Sequence, residues 1–372
     1  MKVLKVLYDS HIFCTQNYGG ISKYYLEIFN NASFDYSVPY EKHFLLNKTF
    51  LDIHGLNESC LNRIPKMHGL LYKLGIIAEL NQYKISREVK RSNPTIYHAT
   101  SKMYQVPESV KKVVTIHDFI FEECSDMYQT KALKRIVDIM TQEKEKQLFN
   151  SDKIIAISQN TKQDILKYYP SISADKIDVI YHGGIDNLEC ESMNLPENFI
   201  LFVGTRSTYK NFKILVEAFE EICKKNNDIT LVCVGGGMFN EKEIDELKQR
   251  NIYKRVYQYL HVNNKKLNFI YQKAKMFVFP SLYEGFGIPI LESFASKCPT
   301  IVSNASCFPE IAQDAALYFD PFDKDSLVDK ITIVLHDIDV RNKYINLGEK
   351  RSQDFSWKKT MTKHLDVYNS MI

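Results

Sequence analysis

The chain has 372 residues, more than a single hydrophobic core usually holds, so its length predicts two domains. Hydrophobic residues make up 45% and charged residues 25%, as in an ordinary globular protein, and a formal net charge of +3 is too small to indicate a nucleic-acid partner. The eight cysteines form no C-x-x-C pair, and no apolar run approaches the roughly 18 residues of a spanning helix. These features predict a cytoplasmic protein that at most rests on a membrane.

The opening segment predicts a strand, a glycine pair and a helix. Val3–Tyr8 is apolar in the manner of a buried strand, and a helix is expected from Ser22 to Phe29. Gly19 and Gly20 precede that helix, where backbone without side chains can approach a ligand closely. A plain turn between a strand and a helix explains the same residues, so this segment alone leaves both interpretations open.

The region from 63 to 91 is basic and has helical periodicity. Such a helix can rest on anionic headgroups of a membrane through its lysines and arginines. A solvated, charged helix face explains the same pattern. Peripheral contact with the cytoplasmic face of a membrane is therefore the alternative to a solvated helix.

Each of two later predicted strands has a histidine at its carboxyl end. Thr95–His98 and Val113–Ile116 are largely apolar, and the second is followed by His117 and Asp118. Open α/β sheets bind ligands at this edge, where an imidazole can donate a hydrogen bond or carry a proton. A buried structural histidine is the alternative at both positions.

Strands and helices continue to alternate through the first half. Lys153–Ile157 and Lys176–Tyr181 predict strands, and the helix between them is expected from Gln159 to Tyr169 with Ser158 as its N-cap. This alternation predicts a parallel, doubly wound α/β sheet.

The domain boundaries follow from where this alternation stops. A polar stretch containing Pro196 interrupts the pattern before a second series of strands and helices begins. The predicted divisions are a first domain, a linker, a second domain and a C-terminal helical segment, at 1–186, 187–198, 199–352 and 353–372.

The second domain opens with a strand that ends at Gly204. Arg206 and Lys210 follow it, and a helix is expected from Phe212 to Lys224. Two cations ahead of a helix N-terminus fit the charges of a diphosphate, because arginine offers a forked donor and lysine a compact charge. Cations are also common on the surface beside helices, so Arg206 and Lys210 alone do not establish a diphosphate site.

The next strand, Ile229–Val234, runs into three glycines at 235–237. Their spacing is not G-x-G-x-x-G, and no acidic partner for a ribose is evident about 20 residues further on. A dinucleotide site is therefore disfavoured, whereas a glycine-rich turn beside a nucleotide remains compatible with the pattern.

Residues 277–292 combine a strand, a glycine loop and the start of a helix. Gly285 and Gly287 free the loop backbone, which places Glu284 in the loop and Glu292 in the helix. A helix that begins after such a loop offers unpaired N–H groups to an anion, most often a phosphate. Ordinary α/β architecture, with Glu292 favouring the helix dipole, is the alternative.

The string Glu-Gly-Phe-Gly-Ile-Pro-Ile-Leu-Glu, from Glu284 to Glu292, closely resembles the paired-glutamate signature of retaining GT-B glycosyltransferases, in particular glycosyltransferase family 4. Thr115–Asp118 resembles a motif of the family's first domain, and the resemblance is densest from Phe199 to Pro321. It implies an α/β GT-B fold, in which two Rossmann-like domains face a central cleft and a C-terminal helix crosses back to the first domain. The donor is expected mostly on the second domain and the acceptor mostly on the first.

The resemblance also implies roles for individual residues. Glu284 binds hydroxyls of the donor sugar, and Glu292 binds those of the nucleotide ribose. Arg206 and Lys210 stabilise the leaving diphosphate, and His117 lies close to the donor sugar. The catalytic residues are thus expected to be Glu284, His117, Arg206 and Lys210. The substrate-binding residues are expected to be Gly19, Gly20, Gly204, Gly285, Phe286, Gly287, Glu292, Asp118 and Val262.

The implied activity is the retaining transfer of a hexose from a nucleotide-diphosphate sugar, with GDP-mannose ahead of UDP-hexoses, to a saccharide or lipid-linked saccharide in O-antigen or capsule synthesis. No metal or other cofactor is expected, because Arg206, Lys210 and a helix N-terminus take the place of a metal at the diphosphate. The base is harder to assign, since Asn263 and Asn264 stand where the family usually has an acidic residue. A GT-B sugar-nucleotide epimerase and a non-catalytic sugar-nucleotide-binding scaffold subunit remain as alternatives.

Overall fold

The protein is described by a computed structural model that covers residues 3–15, 19–38, 76–185 and 188–372. It divides into two compact units. Unit 1 comprises Met1–Glu122, Thr130–His182 and Trp357–Ile372. Unit 2 comprises Glu123–Gln129 and Gly183–Ser356, so the chain changes unit a few residues before the predicted linker, whose first residue lies outside the described part.

The elements up to residue 182 form a parallel sheet and its helices. The strands are β1 Lys5–Tyr8, β2 Asp35–Ser37, β3 Ile96–Ala99, β4 Lys111–Ile116, β5 Lys153–Ala156 and β6 Ile177–Val179. The helices are α1 His11–Thr15, α2 Gly20–Asn31, α3 Ile76–Ser92, α4 Ile120–Glu123, α5 Lys131–Asn150 and α6 Gln159–Tyr168, with short 3-10 turns at Ser125–Met127 and Ala174–Lys176.

The elements after residue 198 repeat this arrangement. The strands are β7 Phe199–Val203, β8 Thr230–Val234, β9 Val256–Tyr259, β10 Met276–Phe279, β11 Thr300–Ser303 and β12 Leu317–Phe319. The helices are α7 Phe212–Lys225, α8 Glu241–Gln249, α9 Asn264–Lys273, α10 Ile288–Ala295, α11 Phe308–Ala312, α12 Lys324–His336, α13 Ile338–Ser352 and α14 Trp357–Asn369, with 3-10 turns at Thr208–Lys210, Tyr253–Arg255 and Gln313–Ala315.

Both sheets have six strands, and every pairing described in them is parallel. The order in unit 1 is β2-β1-β3-β4-β5-β6, and in unit 2 it is β12-β11-β10-β7-β8-β9. The strand order therefore reverses between β1 and β3 and between β7 and β10. In open α/β sheets, ligands bind at such reversal points, beyond the carboxyl ends of the strands. The predicted parallel, doubly wound α/β class is confirmed.

The C-terminal helix α14 completes the core of unit 1. Trp357, Met361 and Tyr368 are buried in the same cluster as residues of β1 and α2. The Tyr368 hydroxyl lies 2.8 Å from the Tyr8 hydroxyl and 2.7 Å from His98 Nδ1. Trp357 is thus a packing residue, and His98 belongs to a buried polar network rather than to an exposed site.

The predicted basic region 63–91 is described only in part. Residues 63–75 lie outside the described residues, and the rest forms most of α3. Ile77 and Ile85 are buried on one side of this helix, whereas Arg87, Lys90 and Arg91 are exposed. No described helix is long and apolar enough to span a bilayer. The predicted membrane contact stays a prediction.

Unit 1 contains several buried histidines whose burial favours the uncharged ring. Burial lowers the pKa of His364 to about 4 and of His117 to about 3, and it lowers the pKa of His98 and His182 well below the usual value. The unfolded chain binds protons on these rings below about pH 6.5, while the folded chain resists doing so. The free energy of unfolding should therefore fall as the pH drops from about 6.5 towards 4.

We expect His364→Gln to reduce this acid sensitivity, because glutamine does not titrate. Each such histidine contributes a slope of up to about 1.4 kcal/mol per pH unit below the pKa of the unfolded chain. The variant should melt at a lower temperature than the wild type at pH 7.5, since Tyr24 loses its bond to the ring. The difference between the two melting temperatures should then shrink by pH 5. His336→Gln, at an exposed position, is the control and should leave the wild-type pH profile intact.

Candidate active site

The loops that follow β7 and β10 meet at the reversal point of the unit 2 sheet. The Leu282 backbone N–H donates to the Tyr209 carbonyl over 2.7 Å, which joins the two loops directly. Lys210 ends the 3-10 turn after β7, and Asn211 then takes a left-handed conformation with φ of 52°. The Asn211 side chain donates to the Pro321 carbonyl, so a third loop is tied to the same point. α7 begins immediately afterwards.

The central contact here is an ion pair between two of the predicted catalytic residues. Lys210 Nζ lies 2.5 Å from Glu284 Oε1, and their side chains are only 14% and 12% exposed. The ammonium also lies 5.1 Å from the centre of the Phe279 ring. The Glu284 backbone N–H donates to Ser306 Oγ over 3.0 Å, which ties this loop to the one after β11. The structure thus brings together Lys210 and Glu284, which are 74 residues apart in the chain.

The glycine loop leads directly into α10. Gly287 has φ of +89°, and a Cβ at this position would lie 3.1 Å from both Ile290 Cδ1 and Phe308 Cε1. Only glycine adopts this conformation without strain. α10 then begins at Ile288 with a proline in its first turn, and the Ile290 N–H donates to the Gly287 carbonyl over 2.9 Å. The Phe286 ring is buried and packs against Phe355 at 6.0 Å between centroids.

Glu292 occupies a different environment from Glu284. Glu292 is only 9% exposed, and the Tyr271 hydroxyl donates to Glu292 Oε2 over 3.4 Å. Burial and the neighbouring Glu292 charge raise the pKa of Tyr271 well above its usual range, so the phenol remains a donor. The paired glutamates of the sequence signature therefore have different partners.

Arg206 is directed to the glycine run after β8. Its Nε donates to Glu243 Oε1 over 2.7 Å, and its two Nη atoms donate to the carbonyls of Gly235, Gly237 and Met238. The guanidinium carbon lies 4.4 Å from the centre of the Phe239 ring, and the side chain is only 4% exposed. The described ion-pair partner of Lys210 is Glu284, whereas Arg206 contacts Glu243 and the glycine run. A role for Arg206 at a diphosphate stays a prediction.

The conformation of the glycine run explains this arrangement. The three glycines at 235–237 all have positive φ, and a Cβ on Gly236 would lie 2.8 Å from the Gly204 carbonyl oxygen. Such a turn points several carbonyls to one side, and Arg206 satisfies them. Glu243 also belongs to a capping box with Asn240 at the start of α8. The Asn-x-x-Glu spacing could have shown this cap from the sequence, although not its contact with Arg206.

Two of the remaining predicted residues of unit 2 lie on loops. Val262 is half-buried in the loop between β9 and α9, and Asn263 caps α9 by accepting from the Lys266 backbone N–H over 2.8 Å. Gly204 directly follows β7, and its N–H donates to the Val234 carbonyl. Asn263 thus serves as the N-cap of α9, while the role of Val262 in substrate binding stays a prediction.

Unit 1 has its own cavity at the reversal point between β1 and β3. It has a volume of about 450 Å³ and is lined by residues after β1, β3 and β4 and by one side of α5. His117 and Asp118 line it, and Asp118 Oδ1 accepts from the Ile120 backbone N–H. Gly19 and Gly20 lie at the start of α2, whose Ile21 also lines the cavity.

His117 is uncharged at neutral pH, because burial lowers its pKa to about 3. Its ring lies edge-on to Tyr24 at 5.1 Å between centroids, and its Nε2 is buried without a hydrogen-bond partner among the described residues. A buried nitrogen of this kind normally has a partner, so a ligand hydroxyl is a suitable one. At pH 7 the ring can donate or accept one hydrogen bond but does not supply a positive charge.

The sequence reasoning missed most residues of this cavity. The polar ones that the sequence did not indicate are His11, Thr100, Ser101, Lys102, Glu143, Lys144 and Gln147. The segment after β3 could have been found, since it follows a strand end like His117 does. The residues of α5 could not, because nothing local shows which strand end that helix covers. Among the described residues, no cluster of three or more His, Cys, Asp or Glu could hold a metal ion.

Comparison with known proteins agrees with this arrangement. Residues 189–351 match the family described as Glycosyl transferases group 1, and residues 51–185 match Glycosyltransferase Family 4. The chain is 25% identical over 366 residues to O-antigen chain mannosyltransferase B of Escherichia coli, covering 92% of this chain and 90% of that protein. It is 27% identical over 224 residues to O-antigen chain mannosyltransferase RfbU of Salmonella typhimurium, covering 60% of each.

The fold also matches a solved structure over almost its full length. Sucrose-phosphate synthase from Thermosynechococcus elongatus superposes with a TM-score of 0.72 at 18% identity, covering 99% of both chains. The two parallel sheets and these matches define a glycosyltransferase with the GT-B fold. The chain belongs to the family 4 type of these enzymes, also described as glycosyl transferases group 1, and the predicted family and enzyme class are confirmed.

Removing both partners of the Lys210–Glu284 pair should cost less stability than the two single removals added together. Lys210→Met or Glu284→Gln alone breaks a mostly buried ion pair, and we expect a loss of about 1–3 kcal/mol for each. The double variant removes both charges and should lose at least about 1 kcal/mol less than the sum. Thermal and urea unfolding of all four proteins measure this coupling, and additive losses would show that the pair contributes nothing.

Arg206→Met should loosen the glycine run, because the carbonyls of 235–238 lose their shared donor. Hydrogen exchange measured by mass spectrometry should become about tenfold faster or more in peptides covering 235–240. Arg250→Met is the matched control, since Arg250 pairs with Glu217, Glu220 and Glu246 and does not contact this turn. Equal hydrogen-exchange rates in wild type and Arg206→Met would mean that the glycine run keeps its conformation without Arg206.

Proposed function

We propose that this glycosyltransferase transfers a hexose from a nucleotide-diphosphate sugar to a saccharide or lipid-linked saccharide acceptor in the synthesis of a cell-surface polysaccharide such as O-antigen or capsule. The observation that carries the proposal is the Lys210–Glu284 pair beside the start of α10, at the reversal point of the unit 2 sheet. GDP-mannose is the first choice of donor and a UDP-hexose the second. Two mannosyltransferase relatives support mannose as the transferred sugar.

In the proposed complex, the diphosphate takes Glu284's place as the partner of Lys210. The positive end of the α10 dipole favours the same anion. Glu284, released from the ammonium, accepts hydrogen bonds from hydroxyls of the donor sugar. Glu292 binds the ribose hydroxyls, and the backbone of Gly285–Gly287 contacts sugar and phosphate.

The transfer itself exchanges one C–O bond for another. The acceptor oxygen bonds to the anomeric carbon while the bond from that carbon to the diphosphate oxygen breaks, and the electron pair stays on the diphosphate. The acceptor's proton passes to the departing diphosphate or to water. In this proposal the configuration is retained, and Lys210 with the α10 N-terminus stabilises the growing charge without a metal ion. Arg206 supports the same anion directly or through the glycine run.

Thermal unfolding with a panel of GDP-, UDP- and ADP-sugars tests this proposal. A bound donor stabilises the folded chain, by about 2.7 kcal/mol at a concentration of 100 times Kd. One nucleotide series should raise the melting temperature in EDTA, and added Mg²⁺ should not increase the effect. In Lys210→Ala the nucleotide sugar should no longer raise the melting temperature. Lys213→Ala removes an exposed charge three residues further on, and in this variant the rise should remain.

Product analysis completes the test. With the donor that binds, release of the nucleoside diphosphate should depend on an added saccharide, and NMR of the product should show the donor's anomeric configuration. Binding that requires a metal ion, or that persists in Lys210→Ala, would refute the proposed diphosphate site. Inverted configuration would refute the mechanism while leaving the transfer in place.

A further inference from the structure

The charged groups of the unit 1 cavity carry no surplus of positive charge among the described residues. Lys102 Nζ lies 3.4 Å from Glu143 Oε2, and Lys144 Nζ lies 2.7 Å from Glu122 Oε2. Asp118 is a further carboxylate, one oxygen of which accepts a backbone N–H. Each lysine that lines the cavity is therefore paired with a carboxylate.

The histidines of the cavity add no positive charge. Burial, with a smaller contribution from Lys102, lowers the pKa of His11 to about 4, and burial lowers that of His117 to about 3. Both rings are neutral at pH 7. Glu143, Glu122 and Asp118 outnumber the two lysines, so an anionic ligand would meet a wall of net negative charge. The cavity is therefore suited to an uncharged ligand.

Two buried polar atoms indicate what kind of uncharged ligand fits. His117 Nε2 and Ser101 Oγ both belong to residues lining the cavity, and neither has a hydrogen-bond partner among the residues that the structure describes. A serine hydroxyl can both donate and accept, and a neutral imidazole can do one or the other at each nitrogen. Buried groups of this type are normally satisfied, so a ligand rich in hydroxyl groups would complete them.

The rest of the wall is apolar. Ile12, Phe121, Ile139 and Met140 line the same cavity. Its volume of about 450 Å³ lies within the usual range of roughly 300–1,000 Å³ for small-ligand sites. Hydroxyl-binding groups beside apolar patches suit a sugar ring, which has a polar rim and apolar C–H faces.

We propose that this cavity binds the terminal sugar of the acceptor, and that this sugar is uncharged, carrying neither a carboxylate nor a phosphate. Ser101 and the Glu143 carboxylate, held by Lys102, bind its hydroxyls and select against an acidic unit. His117 lies on the same cavity and faces the reacting hydroxyl. The inference rests on the proposed transfer function and adds the class of acceptor.

Direct binding tests the inference without requiring turnover. The full chain is titrated by NMR with the neutral methyl α-glycosides of mannose, glucose, galactose and N-acetylglucosamine, and with two anionic probes, methyl α-glucuronide and methyl α-mannoside 6-phosphate. At least one neutral glycoside should bind about tenfold more tightly than either anionic probe. Ser101→Ala should weaken that neutral binding. Equal or tighter binding of an anionic probe, or no binding of any neutral glycoside, would overturn the inference.

Glu143→Gln provides the sharper result, because it keeps the side-chain shape and leaves Lys102 without its partner. The ratio of anionic to neutral affinity should then rise about tenfold, an effect that partial unfolding cannot imitate since it lowers both affinities together. Glu145→Gln makes the same charge change at an exposed position of α5 and should leave the ratio unchanged. An unchanged ratio in Glu143→Gln would overturn the selective role of this pair.

The nucleotide-sugar panel separates this inference from the proposed function. If the chain binds a nucleotide sugar through Lys210 but prefers an anionic glycoside, the proposed transfer function stands and the inference about the acceptor is wrong. A chain that binds no nucleotide sugar loses the proposed function, and the acceptor assignment then falls with it.

Discussion

In both units every described strand pairing is parallel, and most of the candidate site follows from this constraint. Parallel strands all end at the same edge of their sheet, so the segments that follow them are neighbours in space even when they are distant in the chain. Reversal of the strand order then leaves a gap between two adjacent strand ends. Lys210 and Glu284 meet at one reversal, and the cavity beside His117 lies at the other.

This constraint also explains which features could be predicted from the sequence. A strand, glycine loop and helix form one continuous segment, so Glu284, Gly287 and the start of α10 follow from local pattern alone. The cap at Ser158 is equally local, and Ser158 Oγ accepts from the Thr161 N–H as expected. Buried apolar runs identified eight of the strands, although some of their ends shifted by one or two residues. The GT-B assignment came from the resemblance of the glutamate string.

Contacts between distant segments could not be predicted in this way. Arg206 precedes a helix, as a phosphate-binding arginine would, yet its donors are used by carbonyls about 30 residues further on, and nothing near Arg206 in the sequence shows this. The two polar atoms without partners in the unit 1 cavity are likewise a property of packing. The long helix α5 went unnoticed because much of it is exposed and lacks a clear apolar stripe.

The position of α14 has a consequence for how the chain folds during synthesis. Unit 1 is built from segments on both sides of unit 2, since Trp357, Met361 and Tyr368 belong to its core while the strands of its sheet precede residue 182. All strands of unit 2 lie between these segments, so unit 2 can acquire them before α14 leaves the ribosome. Until then, Tyr8, Tyr24 and His98 lack the partners that α14 provides, and a buried part of the unit 1 core stays open to water. The strands of unit 1 are therefore synthesised before unit 2, but the core of unit 1 is completed after it.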